Sequence, residues 1–159
     1  VPININIAVP ENRNVENIPN KIPVTYVPAR NTIFLSYALG YAEFLKCDDI
    51  FLGVNAIDYS GYPDCRRETI NSLKQTLSLG LDKKIFIHTP LMDLNKADIW
   101  RLGHDLGGEK FQNILIEDTH TCYVGDRSTL HDWGYGCGLC PACILRKDGY
   151  NEWIKHNDL

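Results

Sequence analysis

The chain alternates between short apolar runs and longer stretches in which apolar residues recur at helical spacing. The short runs at residues 50–54 and 84–88 are bounded by turn-forming residues, which predicts two buried parallel strands. The longer stretches predict helices over residues 31–46, 66–79, 95–106 and 143–156. Because strands alternate with helices of about a dozen residues, the pattern predicts an α/β fold with a parallel sheet.

Two of these helices carry further expectations. The helix over residues 31–46 is apolar almost all round, so we expect it to be buried. The helix over residues 95–106 has Asn95 as its N-cap and is expected to end at Gly107 and Gly108.

The composition is that of an ordinary globular chain and narrows the range of functions. Of 159 residues, 44% are hydrophobic and 23% are charged, and no apolar run approaches the roughly 20 residues that span a membrane. The net charge of −4 and the lack of a basic stripe argue against direct binding of nucleic acid. The first residues do not resemble a signal peptide, so we expect a cytoplasmic protein whose six cysteines are metal ligands or free thiols.

The N-terminal end of the chain is expected to be incomplete. Residues 1–22 are rich in Asn and Pro, which predicts an irregular arm. The chain begins at Val1, its single methionine is Met92, and only two or three strands are visible in the pattern. We therefore expect the first part of the sheet to lie outside this chain.

Four cysteines near the C-terminal end have the spacing of a metal site. Two residues separate each neighbouring pair of Cys137, Cys140 and Cys143, and fourteen separate Cys122 from Cys137. Such a set can surround one ion, and a closed four-thiolate shell is typical of structural zinc. We predict one structural Zn²⁺. An iron–sulfur cluster and plain thiols remain alternatives, although the ferredoxin run continues to a fourth cysteine that is missing here.

Polar loops that follow the predicted strands are candidate ligand sites, because ligands of open parallel sheets bind beyond the carboxyl ends of strands. In the loop at residues 27–31, Arg30 and Asn31 precede a helix, where an arginine fork and a helix N-terminus attract phosphate or carboxylate. The loop at residues 53–66 is dense in groups that suit a guanine-like heterocycle: Asp58, Tyr59, Ser60, Tyr62, Asp64 and Arg66. The alternatives are a plain helix cap and a solvated loop.

Four motifs occur in order between about Pro23 and Tyr150: VPARN, GVNAIDYSGYPDCR, TPLMDLNKADIW, and THTCYVG followed by CGLCPACILRKDGY. In this combination the chain resembles the 7-cyano-7-deazaguanine synthases of queuosine-precursor biosynthesis. The resemblance implies a Rossmann-like parallel sheet of the ATP-pyrophosphatase (adenine nucleotide alpha hydrolase-like) type, with a C-terminal zinc-binding segment. It also implies a homodimer.

The resemblance further implies a reaction. Enzymes of this family convert 7-carboxy-7-deazaguanine, ammonia and ATP, used with Mg²⁺, into the 7-cyano compound. The carboxylate is adenylated, ammonia then gives an amide, and a second activation removes the amide oxygen to leave a nitrile.

The family's functional residues map onto positions of this chain that match its motifs. The resemblance implies zinc ligation by four cysteines: Cys122, Cys137, Cys140 and Cys143. The PxRN element maps onto residues 28–31, which include Arg30 and Asn31 near phosphate or carboxylate. In the purine-handling loop we expect Asp58, Tyr59 and Ser60 on the deazaguanine, and Asp64 and Arg66 shaping the site.

The chain departs from the family pattern at one place. Family members open with a strand and an SGGxDS loop that cradles the ATP phosphates, and this chain has no such sequence. Because a nest of backbone N–H groups holds polyphosphate, we expect this chain alone to bind ATP poorly and to be inactive. We predict a partial nucleotide and substrate domain over residues 1–118 and a zinc-binding segment over residues 119–159. A zinc-ribbon binding module without catalysis, or a ligase of the same fold with another substrate, are the alternative functions.

Overall fold

The computed structural model describes residues 8, 9, 11, 22, 23, 25–56, 61–81 and 83–156. These residues belong to two compact units. The strand unit comprises Asn20–Asp93, and the cysteine unit comprises Leu94–Leu159 together with Val1–Pro19.

The strand unit confirms the predicted α/β pattern. It contains α1 (Arg30–Leu45), β1 (Asp49–Phe51), a 3-10 turn (Pro63–Cys65), α2 (Arg67–Gly80) and β2 (Phe86–His88). The two strands are parallel, with Ile50 opposite Ile87, but of their residues only Ile50 is buried, so the expectation that both strands are buried was wrong. An aliphatic core joins helices and strands, and its buried members include Leu35, Leu39, Ile50, Ile70, Ile85 and Met92.

Helix α1 is buried on one face only, so the expectation that it is buried all round was wrong. Leu35, Leu39 and Ala42 are buried against the core. Apart from the half-buried Ala38, the remaining apolar side chains are exposed, and Phe44 keeps 79% of its surface. The physical reason is that α1 has neighbours on one side within the described residues, namely β1, α2 and the 3-10 turn. The hydrophobicity of a helix indicates that its side chains favour burial, whereas the elements packed against the helix determine which of its faces are buried.

The long helix of the cysteine unit, α3 (Lys96–Asp118), begins where the sequence predicts. The Asn95 side chain accepts a hydrogen bond from the Asp98 amide, and the Asp98 side chain accepts one from the Asn95 amide, which forms a capping box. The predicted break is present, because Gly108 has a φ of 60° and kinks the helix. The helical conformation then resumes up to Asp118, a second stretch that the sequence analysis missed.

The rest of the cysteine unit is a small hairpin and the predicted last helix. Strands β3 (Leu130–His131) and β4 (Gly134–Tyr135) pair antiparallel, and α4 covers Pro141–His156. The hairpin was not predicted, because strands of two residues are too short to show an alternating pattern. Cysteines and aromatic rings form the core, with Cys122, Cys140, Cys143, Trp100, Trp133 and Trp153 buried.

Two sequence expectations concern the division of the chain. The division between the compact units falls between residues 93 and 94, so α3 belongs with the cysteines, whereas we predicted a domain boundary after residue 118. Compactness does not locate functional domains, and that boundary stays a prediction. The predicted arm over residues 1–22 lies mostly outside the described residues. No described helix has the length and apolar content needed to cross a membrane.

Candidate functional site

The four predicted metal ligands come together in the cysteine unit. The Sγ atoms of Cys122, Cys137, Cys140 and Cys143 all lie within 4.8 Å of one another. The sulfurs of Cys137 and Cys143 are 3.9 Å apart, which is far too long for a disulfide. A tetrahedral zinc ion with Zn–S bonds of about 2.3 Å would hold its sulfurs about 3.8 Å apart. The cluster therefore has the composition and size of a metal site and is compatible with zinc.

Local backbone geometry explains why these sulfurs converge. Gly138 has a φ of 72°, a conformation that glycine adopts without strain, and it turns the chain between Cys137 and Cys140. The amides of Leu139 and Cys140 both donate to the Cys137 sulfur at 3.4 Å. Cys143 lies in the first turn of α4, where the helix dipole favours negative charge. Both features direct the positive ends of backbone N–H dipoles towards the cluster.

The hairpin closes one side of the cluster. The rings of His131 and Trp133 stack with centroids 4.4 Å apart, and Nε2 of His131 donates to the Gly136 carbonyl at 2.9 Å. A Cβ atom on Gly136 would lie 2.6 Å from the sulfur of Cys143. Glycine is thus the only residue that lets the hairpin approach the cluster this closely.

The thiols of the cluster differ in acidity. Burial disfavours the thiolate of Cys122, but backbone hydrogen bonds, first from Cys137, outweigh it and lower the pKa of this thiol to about 6. Burial raises the pKa of Cys140, and burial together with the nearby Cys140 raises the pKa of Cys143. Four thiolates in so small a space need a cation between them, because like charges at short range disfavour ionisation. A divalent ion supplies that charge and keeps coordinating thiols deprotonated.

Arg146 donates hydrogen bonds to the segments around the cluster. The sequence analysis did not single it out. Its guanidinium is buried and donates to the carbonyls of Trp133 and Leu115, at 2.6 Å each, and to the Thr119 hydroxyl at 2.9 Å. It thereby connects the hairpin, the end of α3 and α4. Its position three residues after Cys143, on the same face of a helix, was the available signal.

In the strand unit, the structure joins the two predicted ligand loops. The backbone amide of Asn31 donates to the Asp64 carboxylate at 3.0 Å, and the Asn31 side-chain amide donates to the Cys65 sulfur at 3.2 Å. Asn31 and Asp64 are only 7% and 5% exposed. We expected the N-terminus of α1 to attract a phosphate or carboxylate of a ligand. In the structure, the carboxylate found there is that of Asp64. Cys65 is buried outside the cysteine cluster, and the pKa of its thiol is raised. Burial is the largest cause, followed by the charge of Asp64.

The other predicted residues of these loops have different surroundings. Arg30 is half-buried at the start of α1, and Arg66 is exposed just before α2. Asp58, Tyr59 and Ser60 lie outside the described residues. Tyr62 is buried, with its hydroxyl 2.6 Å from the Thr25 hydroxyl and its ring beside Tyr26, so it supports the loop from within.

Comparison with known proteins yields one matching family model. Residues 3–154 match the model of the queuosine biosynthesis protein QueC. The match covers both compact units and includes all four clustered cysteines and the two loops joined by Asn31 and Asp64.

Curated relatives carry the name 7-cyano-7-deazaguanine synthase. The one from Gluconobacter oxydans is 52% identical over 84% of this chain and 55% of its own length. Those from Caulobacter vibrioides and Bordetella avium are 47% and 49% identical over 92% and 93% of this chain, and over 60% and 61% of their own lengths. The chain thus spans somewhat more than half the length of these relatives.

Proposed function

Because this chain belongs to the QueC family of queuosine biosynthesis proteins, we propose that the whole protein makes 7-cyano-7-deazaguanine. Its substrates are 7-carboxy-7-deazaguanine, ammonia and ATP, and the reaction is an ATP-dependent C–N ligation through adenylated intermediates. The observation that carries the proposal is the identity of about half of the residues to named synthases over most of the chain. Neither alternative, a zinc-ribbon binding module or a ligase with another substrate, has comparable support.

The finer fold assignment belongs to the same proposal. The parallel pair β1 and β2, with helices α1 and α2 beside it, is compatible with a Rossmann-like sheet of the ATP-pyrophosphatase type. The glycine-rich loop that such proteins use for ATP is not present in this sequence. We therefore expect that this chain alone does not turn over substrate and that the whole protein uses ATP with Mg²⁺.

The cysteine cluster holds one structural zinc ion in this proposal. Four sulfurs leave no open position on a tetrahedral ion, so the ion does not bind substrate. Its contribution is to fasten α4 and the hairpin to the end of α3. The donor set supports zinc, which favours thiolate ligands and this tetrahedral shell.

The residues of the two loops take different roles. Arg30, with its planar fork at the start of α1, binds the substrate carboxylate or a phosphate of ATP. Asn31 and Asp64 are buried and bonded to each other, so they position the loop. Arg66 shapes the exposed side of the site, and Asp58, Tyr59 and Ser60 contact the deazaguanine.

The test is product formation by the whole protein. Mass spectrometry should detect the nitrile, and ATP should be consumed only when the carboxy-deazaguanine and ammonia are both present. The absence of a nitrile product from folded, metal-loaded protein would overturn the proposal.

Two neighbouring arginines give a matched pair of variants. Arg66→Gln should lower kcat/KM by about 2- to 10-fold, because Arg66 shapes the exposed side of the site and a typical hydrogen bond contributes roughly 0.5–1.5 kcal/mol. Arg67→Gln is the control, because Arg67 pairs at the surface with Asp93 and exposed pairs contribute little. Equal activity of both variants would remove Arg66 from the site.

Three further expectations accompany the proposal. We propose that the protein is a homodimer, that it is cytoplasmic, and that it does not bind nucleic acid directly. The net charge of −4 supports the last of these.

A further inference from the structure

Arg146 is a buried cation without a carboxylate partner in the described part of the chain. Only 6% of its surface is exposed, and it is the one cationic side chain among the buried polar residues of the described ranges. The ion pairs found there involve other residues. A buried charge that lacks an opposite charge is costly, so a source of negative charge near Arg146 is expected.

Each nitrogen of the guanidinium donates a hydrogen bond, but these bonds do not balance its charge. The guanidinium donates to two carbonyl oxygens and one hydroxyl, and all three acceptors are neutral. The Cζ atom of Arg146 lies 5.3 Å from the centre of the Trp100 ring, and this contact adds a weaker cation–π attraction.

The cysteine cluster is a source of negative charge that acts on Arg146. Burial lowers the pKa of Arg146, and the charge of Cys143, one helical turn away, acts in the opposite direction. Four thiolates around one divalent ion would leave a net charge of −2. The cluster and Arg146 thus each carry the charge that the other lacks.

We propose that Arg146 is the counter-cation of the metal–thiolate centre and sets its affinity for the metal. This inference rests on the proposed zinc site. Arg146 is a positioning residue, since its donors also hold the hairpin and the end of α3 around the sulfurs. The other arginine and lysine side chains close in sequence to the cluster, Arg127 and Lys147, are exposed.

The test compares three variants of the full chain loaded with zinc or cobalt. Arg146→Met removes the charge, and Arg146→Lys keeps it but loses the planar fork. Arg127→Met is the matched control, because Arg127 also donates to a carbonyl of α3, that of Glu117, and also lies over an aromatic ring, that of Tyr135. Metal affinity is measured by competition with a chelator, and the sulfur-to-cobalt charge-transfer bands report on the thiolates.

We expect Arg146→Met to weaken zinc binding by about 10- to 100-fold, a range typical of residues that support metal ligands. Arg146→Lys should recover most of that loss, and Arg127→Met should bind as the unaltered chain does. The charge-transfer bands should shift in Arg146→Met and not in Arg127→Met. If Arg146→Met does not fold, the near-normal affinity expected of Arg146→Lys carries the test.

A purely structural role of Arg146 predicts one of two other results. In the first, Arg146→Lys binds zinc as poorly as Arg146→Met does. In the second, Arg146→Met binds zinc normally but loses the same stability with and without the metal; either result overturns the proposal. If the unaltered chain binds no metal, the zinc site fails and the role of Arg146 fails with it. If the unaltered chain binds zinc and all variants match it, only the role of Arg146 fails.

Discussion

The strand unit and the cysteine unit have cores of different composition. In the strand unit an aliphatic core joins α1, α2 and the parallel strands, yet one face of α1 keeps its aromatic side chains exposed, among them Phe34, Tyr37, Tyr41 and Phe44. In the cysteine unit all three tryptophans of the chain are buried beside fully buried Cys140 and Cys143. The core of the strand unit is mainly aliphatic, whereas that of the cysteine unit combines aromatic rings with a cluster of sulfurs.

This difference shows where each unit is vulnerable. Apolar area removed from water contributes about 25 cal/mol per Å², so the stability of the strand unit is spread over the many side chains of its aliphatic core. A metal site instead concentrates stabilisation in a few ligands, because binding free energy becomes folding free energy. The cysteine unit should therefore respond steeply to single changes near the sulfurs, and the strand unit should respond gradually.

Loss of one metal ligand is the sharpest way to separate the two units. Cys143→Ser should release the metal and cost several kcal/mol, since a structural zinc contributes roughly 10–16 kcal/mol in isolated zinc-finger peptides. Metal content and amide hydrogen exchange of α4 report the change, while protection of the strand unit should persist. Cys47→Ser is the control, because Cys47 is exposed and outside the cluster. Full metal content in Cys143→Ser would contradict this account.

Crowding the cluster should have a smaller effect of the same kind. Gly136→Ala places a Cβ 2.6 Å from the Cys143 sulfur, and overpacking of this sort costs about 1–3 kcal/mol. Zinc affinity, measured against a chelator, should fall. The control is Gly125→Ala, which has a φ of 74° and open space around its Cβ. It should lower stability slightly and leave zinc affinity unchanged; a similar loss of affinity in both variants would show that crowding is not the cause.

In the strand unit, the link between the two loops should matter less than a metal ligand does. Asp64→Ala removes the carboxylate that caps α1 and leaves the Asn31 amide without its acceptor, at a cost of about 1–2 kcal/mol. Urea unfolding and hydrogen exchange at the start of α1 measure the loss. Asp93→Ala is the matched control, because Asp93 forms an exposed pair with Arg67. Equal effects of the two substitutions would mean that Asp64 does not hold the loops together.

The smallest expected effect is alkaline destabilisation through Cys65. Burial raises the pKa of its thiol in the folded chain, so the folded state keeps a proton that the unfolded state loses near its ordinary pKa of 9.0. The contribution is present below that pH and declines as the pH rises towards the folded pKa. The urea midpoint of the strand unit should therefore fall less between pH 8 and 10.5 in Cys65→Ala than in the unaltered chain. Identical pH profiles would contradict the assignment.

The features that could be predicted from the sequence depend on residues that are close together in the chain. The spacing of Cys137, Cys140 and Cys143 is local, and the structure brings these sulfurs together with that of Cys122. The capping residues Asn95 and Asp98 act within one helical turn, and the start of α3 was predicted for that reason.

What could not be predicted depends on distant partners. Asn31 and Asp64 are 33 residues apart, and no local pattern shows that one supplies the anion for the other. The exposure of Phe44 depends on which elements surround α1, which hydrophobicity alone does not reveal. Gly108 predicts a break, but a helix that resumes after a glycine kink looks in sequence like a helix that ends. The role of Arg146 depends on three acceptors from two other segments, the end of α3 and the hairpin.

X-ray absorption at the metal edge of the purified chain tests the central claim most directly. Zinc bound by Cys122, Cys137, Cys140 and Cys143 predicts one zinc per chain, with four sulfur neighbours at about 2.3 Å and no metal neighbour. Iron with a nearby second iron, or zinc with fewer sulfurs and added nitrogen or oxygen neighbours, would contradict the closed four-thiolate centre on which this account of the cysteine unit depends.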